Sequence, residues 1–140
     1  MNRQILFRGK RIGRKSGHWY RSKYRNGQWV YGLITKQYTE EWQDKFYDEM
    51  TDIHGISEID IDRNTVGEFI NLTDKNGNKI FEGDIVKCYS LEYGYTNKAV
   101  YYNEDKARFV LSSLGTDYDF DEYITLEVIG NVYDNKELLE

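Results

Sequence analysis

The sequence predicts a mainly β protein of the α+β class. Aromatic residues make up 16% of the chain, and thirteen residues are Tyr, which suits the half-buried faces of sheets. Short apolar runs alternate with turn residues, and Asn-Gly pairs occur at 26–27 and 76–77. Asn-Gly is the dipeptide that most readily closes a tight hairpin, because both residues tolerate positive φ. Strands joined by tight turns are therefore expected along most of the chain.

The first elements predicted are three strands. Alternating apolar residues indicate a strand over 4–12. A second strand over 18–24 is expected to pair with a third over 28–34 across the Asn26-Gly27 turn. Together these strands form a predicted basic N-terminal hairpin region.

One helix is predicted over residues 39–50. Trp42, Phe46 and Met50 recur at intervals of four, which would place them on one helical stripe. Thr39 is a suitable N-cap for this short helix.

The remaining elements follow from turn residues and apolar runs. The first of them are an acidic loop with a short strand over 52–63, a strand over 65–72 and a turn over 74–77. A strand then begins at 80, is broken by a bend at 82–84 and resumes over 85–89. The last are a polar loop over 91–98, a hairpin of 99–102 with 108–111, an exposed loop over 114–123, a strand over 124–133 and a helical turn capped by Asp134.

Charge is distributed unevenly along the chain. The net charge is −5, yet residues 1–36 hold ten Lys or Arg and no acidic residue, so the other nine basic residues face all 24 acidic ones. Such asymmetry fits a basic hairpin lying on the acidic body of its own chain or of a second copy. The alternatives are a site for phosphate or another anion and a solvated face.

The candidate binding residues are the cations and aromatic side chains of this basic region. Arginine forks onto phosphates and carboxylates, and aromatic rings stack on bases or guanidinium groups. The set comprises Arg8, Lys10, Arg11, Arg14, Lys15, Trp19, Arg21, Lys23, Arg25, Trp29 and Tyr31.

Enzymatic and metal chemistry find little support in the sequence. The single cysteine, Cys88, excludes an internal disulfide and a multi-cysteine zinc site, and its strand context predicts a buried thiol. Asp60 begins a calcium-loop pattern, but Thr65 replaces the required Gly and Asn71 the required Glu. No catalytic residue, metal or cofactor is expected. No signal peptide or membrane span is recognisable, and a cytoplasmic location is expected.

Three stretches resemble the YopX family of bacteriophage and prophage proteins. They are ILFRGKRI followed by GQWVYGLI, then TVGEFINLTDKNGNKIFEGDIVK, and finally EVIGNVYDNKELL. Lys136 stands where the family's last motif usually has proline. The resemblance implies a phage-encoded, oligomer-forming, mainly β protein with a small SH3-like β-barrel toward its C-terminus. The predicted division is a basic segment 1–64, with the hairpin and short helix, and a YopX-like barrel segment 65–140 that ends in a helical turn, with one continuous domain as the alternative.

The resemblance brings no established activity, so no catalytic residues can be transferred. We therefore expect a non-enzymatic phage accessory protein that binds a host or phage macromolecule in the bacterial cytoplasm as a homo-oligomer. The alternative is that the basic aromatic hairpin binds nucleic acid or a nucleotide, including sequestration of a host defence signal.

Overall fold

Antiparallel β-strands dominate the structure, which is a computed structural model describing residues 3–13, 24–42, 45–55 and 58–140. The strands are β1 Phe7–Lys10, β2 Trp29–Trp42, β3 Lys45–Asp52, β4 Glu58–Asp62, β5 Gly67–Thr73, β6 Lys79–Phe81, β7 Asp84–Ser90, β8 Gly94–Asn103, β9 Arg108–Ser113, β10 Thr116–Tyr118 and β11 Thr125–Asn131. Three short 3-10 helices are η1 Arg63–Thr65, η2 Phe120–Glu122 and η3 Lys136–Leu139. The mainly β prediction is confirmed.

The chain divides into two compact units, Met1–Glu68 and Phe69–Glu140. The predicted division into segments 1–64 and 65–140 stays a prediction. Strand β5 crosses from one unit to the next. Its first residues pair with β1, at Arg8 with Gly67, and its later residues pair with β6, at Phe69 with Phe81.

The first unit is built on the strand order β4-β3-β2-β1-β5. Its core is a cluster of buried apolar side chains, Val30, Met50, Ile59 and Ile61, with Phe7, Ile34 and Val66 packed against it. An isolated bridge between Arg11 and Ile61 links the end of β1 to β4. The Ile12 N–H donates to the Asp60 carbonyl at 2.9 Å beside it.

The predicted short helix over 39–50 is wrong. The described residues of this range belong to β2, which ends at Trp42, and to β3, which begins at Lys45. A spacing of four fits the period of a strand as well as that of a helix, because four is twice the strand period of two. Pairing of β3 with both β2 and β4 decides the outcome, since tertiary context overrides a short periodic signal.

The predicted pairing of strands 18–24 and 28–34 falls mostly outside the described residues, which in this range begin at Tyr24. The third strand is confirmed as the start of β2. Among the described strands it pairs with β1, with Lys10 opposite Trp29 and Phe7 opposite Gly32, and with β3, with Leu33 opposite Thr51. The Asn26-Gly27 turn is present, and Gly27 has φ of 82°.

The second unit contains a five-stranded sheet in the order β10-β9-β8-β7-β11. Ile80, Val86, Cys88, Val100 and Leu111 form its buried cluster. Strands β10 and β11 lie at opposite edges of this sheet, which is not closed. The predicted SH3-like barrel is therefore not confirmed.

Three local predictions in the second unit need correction. The range 114–123 is not one exposed loop, because it contains β10 and η2, and Tyr118, Phe120 and Tyr123 pack against the buried cluster. The range 91–98 is not a polar loop throughout, because β8 begins at Gly94 and pairs with β7. The final helical turn is present as η3, but Asn135 rather than Asp134 stands at its N-cap. The bend at 82–84 is confirmed as a hydrogen-bonded turn, since buried Asp84 accepts a bond from the Phe81 N–H at 2.7 Å.

The turn over 74–77 is organised by one buried carboxylate. Asp74 accepts bonds from the backbone N–H groups of Asn76, Asn78 and Val128, each at 2.9 Å. Burial by itself would raise the pKa of Asp74, but these backbone donors outweigh it and lower that pKa. The Lys75 N–H also donates to the Leu126 carbonyl. The turn therefore occupies backbone groups of edge strand β11 that another chain could otherwise pair with.

Candidate binding face of the first sheet

Strands β1 and β2 bring four of the predicted binding residues together on one face. Arg8 lies opposite Tyr31 and Lys10 lies opposite Trp29 in the antiparallel register. Directly opposed residues point to the same side of a sheet, and alternate residues along a strand share that side. The intervening residue Val30 is fully buried in the core. Core packing on one side therefore fixes the cations and rings on the other.

Trp29 is the centre of this cationic group. The guanidinium carbon of Arg8 lies 4.6 Å from the Trp29 ring centroid, and Lys10 Nζ lies 5.4 Å from it. Both distances fall within the range of cation–π attraction. Arg8 is only 6% exposed. It therefore contributes its positive field, while half-buried Lys10 is the cation that a partner could contact.

Close backbone packing holds β1 in place beneath this face. A Cβ on Gly9 would lie 2.2 Å from Ile61 Cγ2, so only glycine allows β1 to approach β4 so closely. The Lys10 N–H also donates to the Thr65 hydroxyl at 2.8 Å. These constraints position the neighbouring Arg8 and Lys10 side chains.

Arg11 and Arg25 take different roles from the central group. Arg11 Nη1 donates to the Tyr24 carbonyl at 2.8 Å, so this guanidinium supports the backbone of its own chain. Arg25 is exposed and lines a surface pocket of about 560 Å³ whose other described lining residues are Asn26 and Gln28. Arg25 is therefore available to an anion near the turn.

The other five predicted binding residues, Arg14, Lys15, Trp19, Arg21 and Lys23, lie outside the described residues. The assignment of the full set to a binding site stays a prediction.

Acidic side chains occupy the same face further across the sheet, which the sequence analysis missed. Leu33 continues the face from Tyr31 and lies opposite Thr51, and Thr51 lies opposite Glu58. Two residues along β3, Glu49 lies opposite Asp60. The alternation of acidic residues at 58, 60 and 62 was a signal for this arrangement, but the predicted helix over 39–50 concealed the contribution of β3.

The acidic residues of this face interact with Tyr38. Tyr38 donates its hydroxyl proton to Glu49 Oε2 at 3.1 Å. Burial, this hydrogen bond and the negative charges of Glu49 and Asp60 together raise the pKa of Tyr38. Glu49 and Asp60 lie directly opposite each other and repel, while Lys36 of β2 lies opposite Glu49 on its other side.

We define the dipolar face as the basic residues of β1, the apolar and aromatic residues of β2, and the acidic residues of β3 and β4. Its members are Arg8, Lys10, Trp29, Tyr31, Leu33, Glu49, Glu58 and Asp60. In its centre Tyr31 is 38% exposed and Leu33 is 50% exposed. The face thus presents positive charge at β1, apolar surface at the start of β2 and mainly negative charge at β3 and β4, where Lys36 of β2 lies opposite Glu49.

Two observations bear on thiol and metal chemistry. Cys88 is fully buried, and burial raises the pKa of its thiol to about 11, so it is not a thiolate at neutral pH. Across the described ranges, no group of three or more His, Cys, Asp or Glu is placed to hold a metal ion. None of the helices described is long and apolar enough to cross a membrane.

A family model described as YopX protein matches residues 10–140, which include the second unit and every member of the dipolar face except Arg8. No curated protein matches the chain.

Proposed function

Given that the chain belongs to the YopX family, we propose that it is a phage-encoded, non-enzymatic accessory protein that acts by binding another macromolecule in the bacterial cytoplasm. The first partner that we propose is a second copy of the same chain. The observation that carries this proposal is the dipolar face, where cations and acids flank exposed apolar surface.

A two-fold axis would make this face complementary to itself. In an isologous dimer the same surface patch meets its own copy in the opposite direction. Lys10 of one copy would then approach Glu58 and Asp60 of the other, while Tyr31 and Leu33 meet near the axis. Apolar surface would supply burial at the centre, and the charges would fix the orientation.

Charge reversal tests this arrangement. We expect Lys10→Glu and Glu58→Lys each to weaken self-association about tenfold, since each sets like charges against each other across the interface. The combined variant restores opposite charges and should recover most of the affinity. Light scattering over a concentration series, in low and high salt, measures the effect. Glu104→Lys, in an exposed turn of the second unit, is the matched control and should change nothing.

Three results would contradict self-association through this face. The first is a monomer at every concentration in low salt. The second is an oligomer indifferent to both single variants. The third is a combined variant no better than either single variant, because mutual compensation is the property that complementarity requires.

Nucleic-acid or nucleotide binding is the second candidate. It is favoured by the position of Lys10 over Trp29 and by exposed Arg25 beside a pocket. Affinity should then fall steeply with salt, because each phosphate contact releases counterions. Lys10→Glu should weaken binding, because it removes the cation over the Trp29 ring. Adding Glu58→Lys should not restore the affinity, since it puts no cation back over Trp29. An increase in Tm with nucleotides but not with duplex DNA would indicate sequestration of a small nucleotide. An affinity that does not change with salt would exclude binding of both nucleic acid and a nucleotide.

A further inference from the structure

The second unit buries a lysine in its core. Lys98 is only 5% exposed and lies on β8 opposite Val86 of β7. Val86 and Val100, the latter two residues further along the same strand, belong to the buried apolar cluster. Lysine is almost never fully buried without a partner, so this position needs a physical explanation.

Aromatic rings are the neighbours of the Lys98 amino group. Lys98 Nζ lies 4.2 Å from the ring centroid of Tyr118 and 5.8 Å from that of Tyr123. Within the part of the chain that the structure describes, Lys98 makes neither a hydrogen bond nor an ion pair. A protonated amine offers three donors, and cation–π contacts satisfy its charge but leave these donors open.

A second donor faces the same side of the sheet. Thr96 lies two residues before Lys98 on β8 and opposite Cys88 on β7. Its hydroxyl oxygen is buried and has no hydrogen-bond partner among the described residues. Cys88 adds a thiol that remains protonated, because burial raises its pKa to about 11. The region therefore collects donors and contains no ion-pairing carboxylate for Lys98 among the described residues.

We propose that Lys98 and Thr96 form a site for a small oxyanion, a carboxylate or a phosphate, flanked by the rings of Tyr118 and Tyr123. An anion supplies the charge and the acceptor atoms that the Lys98 ammonium and the buried Thr96 hydroxyl lack among the described residues, and hydrogen bonds between ionised groups are the stronger kind. This site lies in the second unit and does not depend on the proposed dimer.

Thermal unfolding with single anions tests the site. Inorganic phosphate and acetate should each be titrated at constant ionic strength, with chloride as the reference salt. We expect at least one of them to raise the Tm of the natural chain by about 4 °C at saturation, because a ligand that binds only the folded state stabilises it. Comparing the two shows which oxyanion the site prefers.

Lys98→Met is the decisive variant. It keeps the length of the side chain in an apolar core, so it should fold, and its Tm without anion should equal or exceed that of the natural chain. It should lose the anion-dependent increase entirely, and Thr96→Val should reduce it. Lys87→Met is the matched control, because exposed Lys87 also lies over a tyrosine ring, with Nζ 4.9 Å from Tyr95. Lys87→Met should keep the full increase.

Two outcomes would overturn the proposal. One is an equal anion-dependent increase in Lys98→Met and the natural chain, which would reflect general salt stabilisation. The other is the absence of any increase above chloride in the natural chain with either anion.

Discussion

Asp48 of the first unit and Lys98 of the second unit are both buried residues, but their surroundings differ. In the first, Asp48 is 2% exposed and accepts an ion-paired hydrogen bond from Arg63 Nε at 2.8 Å. The same guanidinium donates through Nη2 to the carbonyls of Tyr38 and Tyr47. In the second, Lys98 meets aromatic rings and no described acid. The charge of Asp48 is thus compensated within the chain, whereas Lys98 has no hydrogen-bond or ion-pair partner among the described residues.

The two buried charges therefore differ in what they do for the fold. Arg63 joins β2, β3 and η1 through one planar group, which fixes their relative position. Lys98 joins nothing by hydrogen bonding among the described residues. A compensated charge stabilises a particular arrangement only while both partners remain, and an uncompensated one is better explained by an external partner.

Removal of Arg63 should give the largest effect. Arg63→Ala leaves the carboxylate of Asp48 buried without its partner, and we expect a loss of about 3 kcal/mol in the free energy of unfolding. Urea denaturation followed by fluorescence measures it. Lys45→Ala is the control, because it breaks the more exposed pair with Asp62 and should cost at most about 1 kcal/mol. Equal losses in the two variants would show that Asp48 does not depend on Arg63.

Asp74 provides the compensated charge of the second unit. Asp74→Asn converts one acceptor oxygen into a donor facing backbone N–H groups, and we expect a loss of about 2 kcal/mol at neutral pH. The folded-state pKa of Asp74 is lowered, so its stabilisation is complete above the unfolded pKa of about 3.9. It is lost as the pH falls through the folded-state pKa.

Urea midpoints between pH 2 and 7 measure this dependence. The natural chain should become less stable as the pH falls, and the stability of Asp74→Asn should decrease less over the same range. Asp105→Asn, at an exposed turn position, should retain it. Parallel pH profiles for Asp74→Asn and the natural chain would mean that the carboxylate charge is not the source.

The smallest perturbation is a chemical probe of Cys88. Cys88 is fully buried, and burial raises the pKa of its thiol to about 11. Ellman's reagent should therefore label it at least about 1,000-fold more slowly in the native protein than in urea. This factor is expected when the reagent gains access only through an opening that costs about 5 kcal/mol. Native labelling close to the rate in urea would show that the core beside Lys98 is open.

Turn chemistry was the most predictable part of this chain. The Asn26-Gly27 and Asp74–Gly77 turns, the bend at Gly83 and the strands that flank them were predicted, because these residues restrict backbone angles locally. The strand that contains Lys98 was predicted only from residue 99. Polar Thr96, Asn97 and Lys98 concealed an alternation whose buried side becomes evident only against Val86 and Cys88.

The sequence by itself determined the β class, the turns, the burial of Cys88 and the family, since all depend on local residue patterns. Tertiary structure alone decided that residues 39–42 and 45–50 are strands, that acids of β3 and β4 share a face with Lys10, and that Lys98 is buried. The physical reason is that these properties depend on which strands pair and in which register. Pairing is set by packing between residues far apart in the chain.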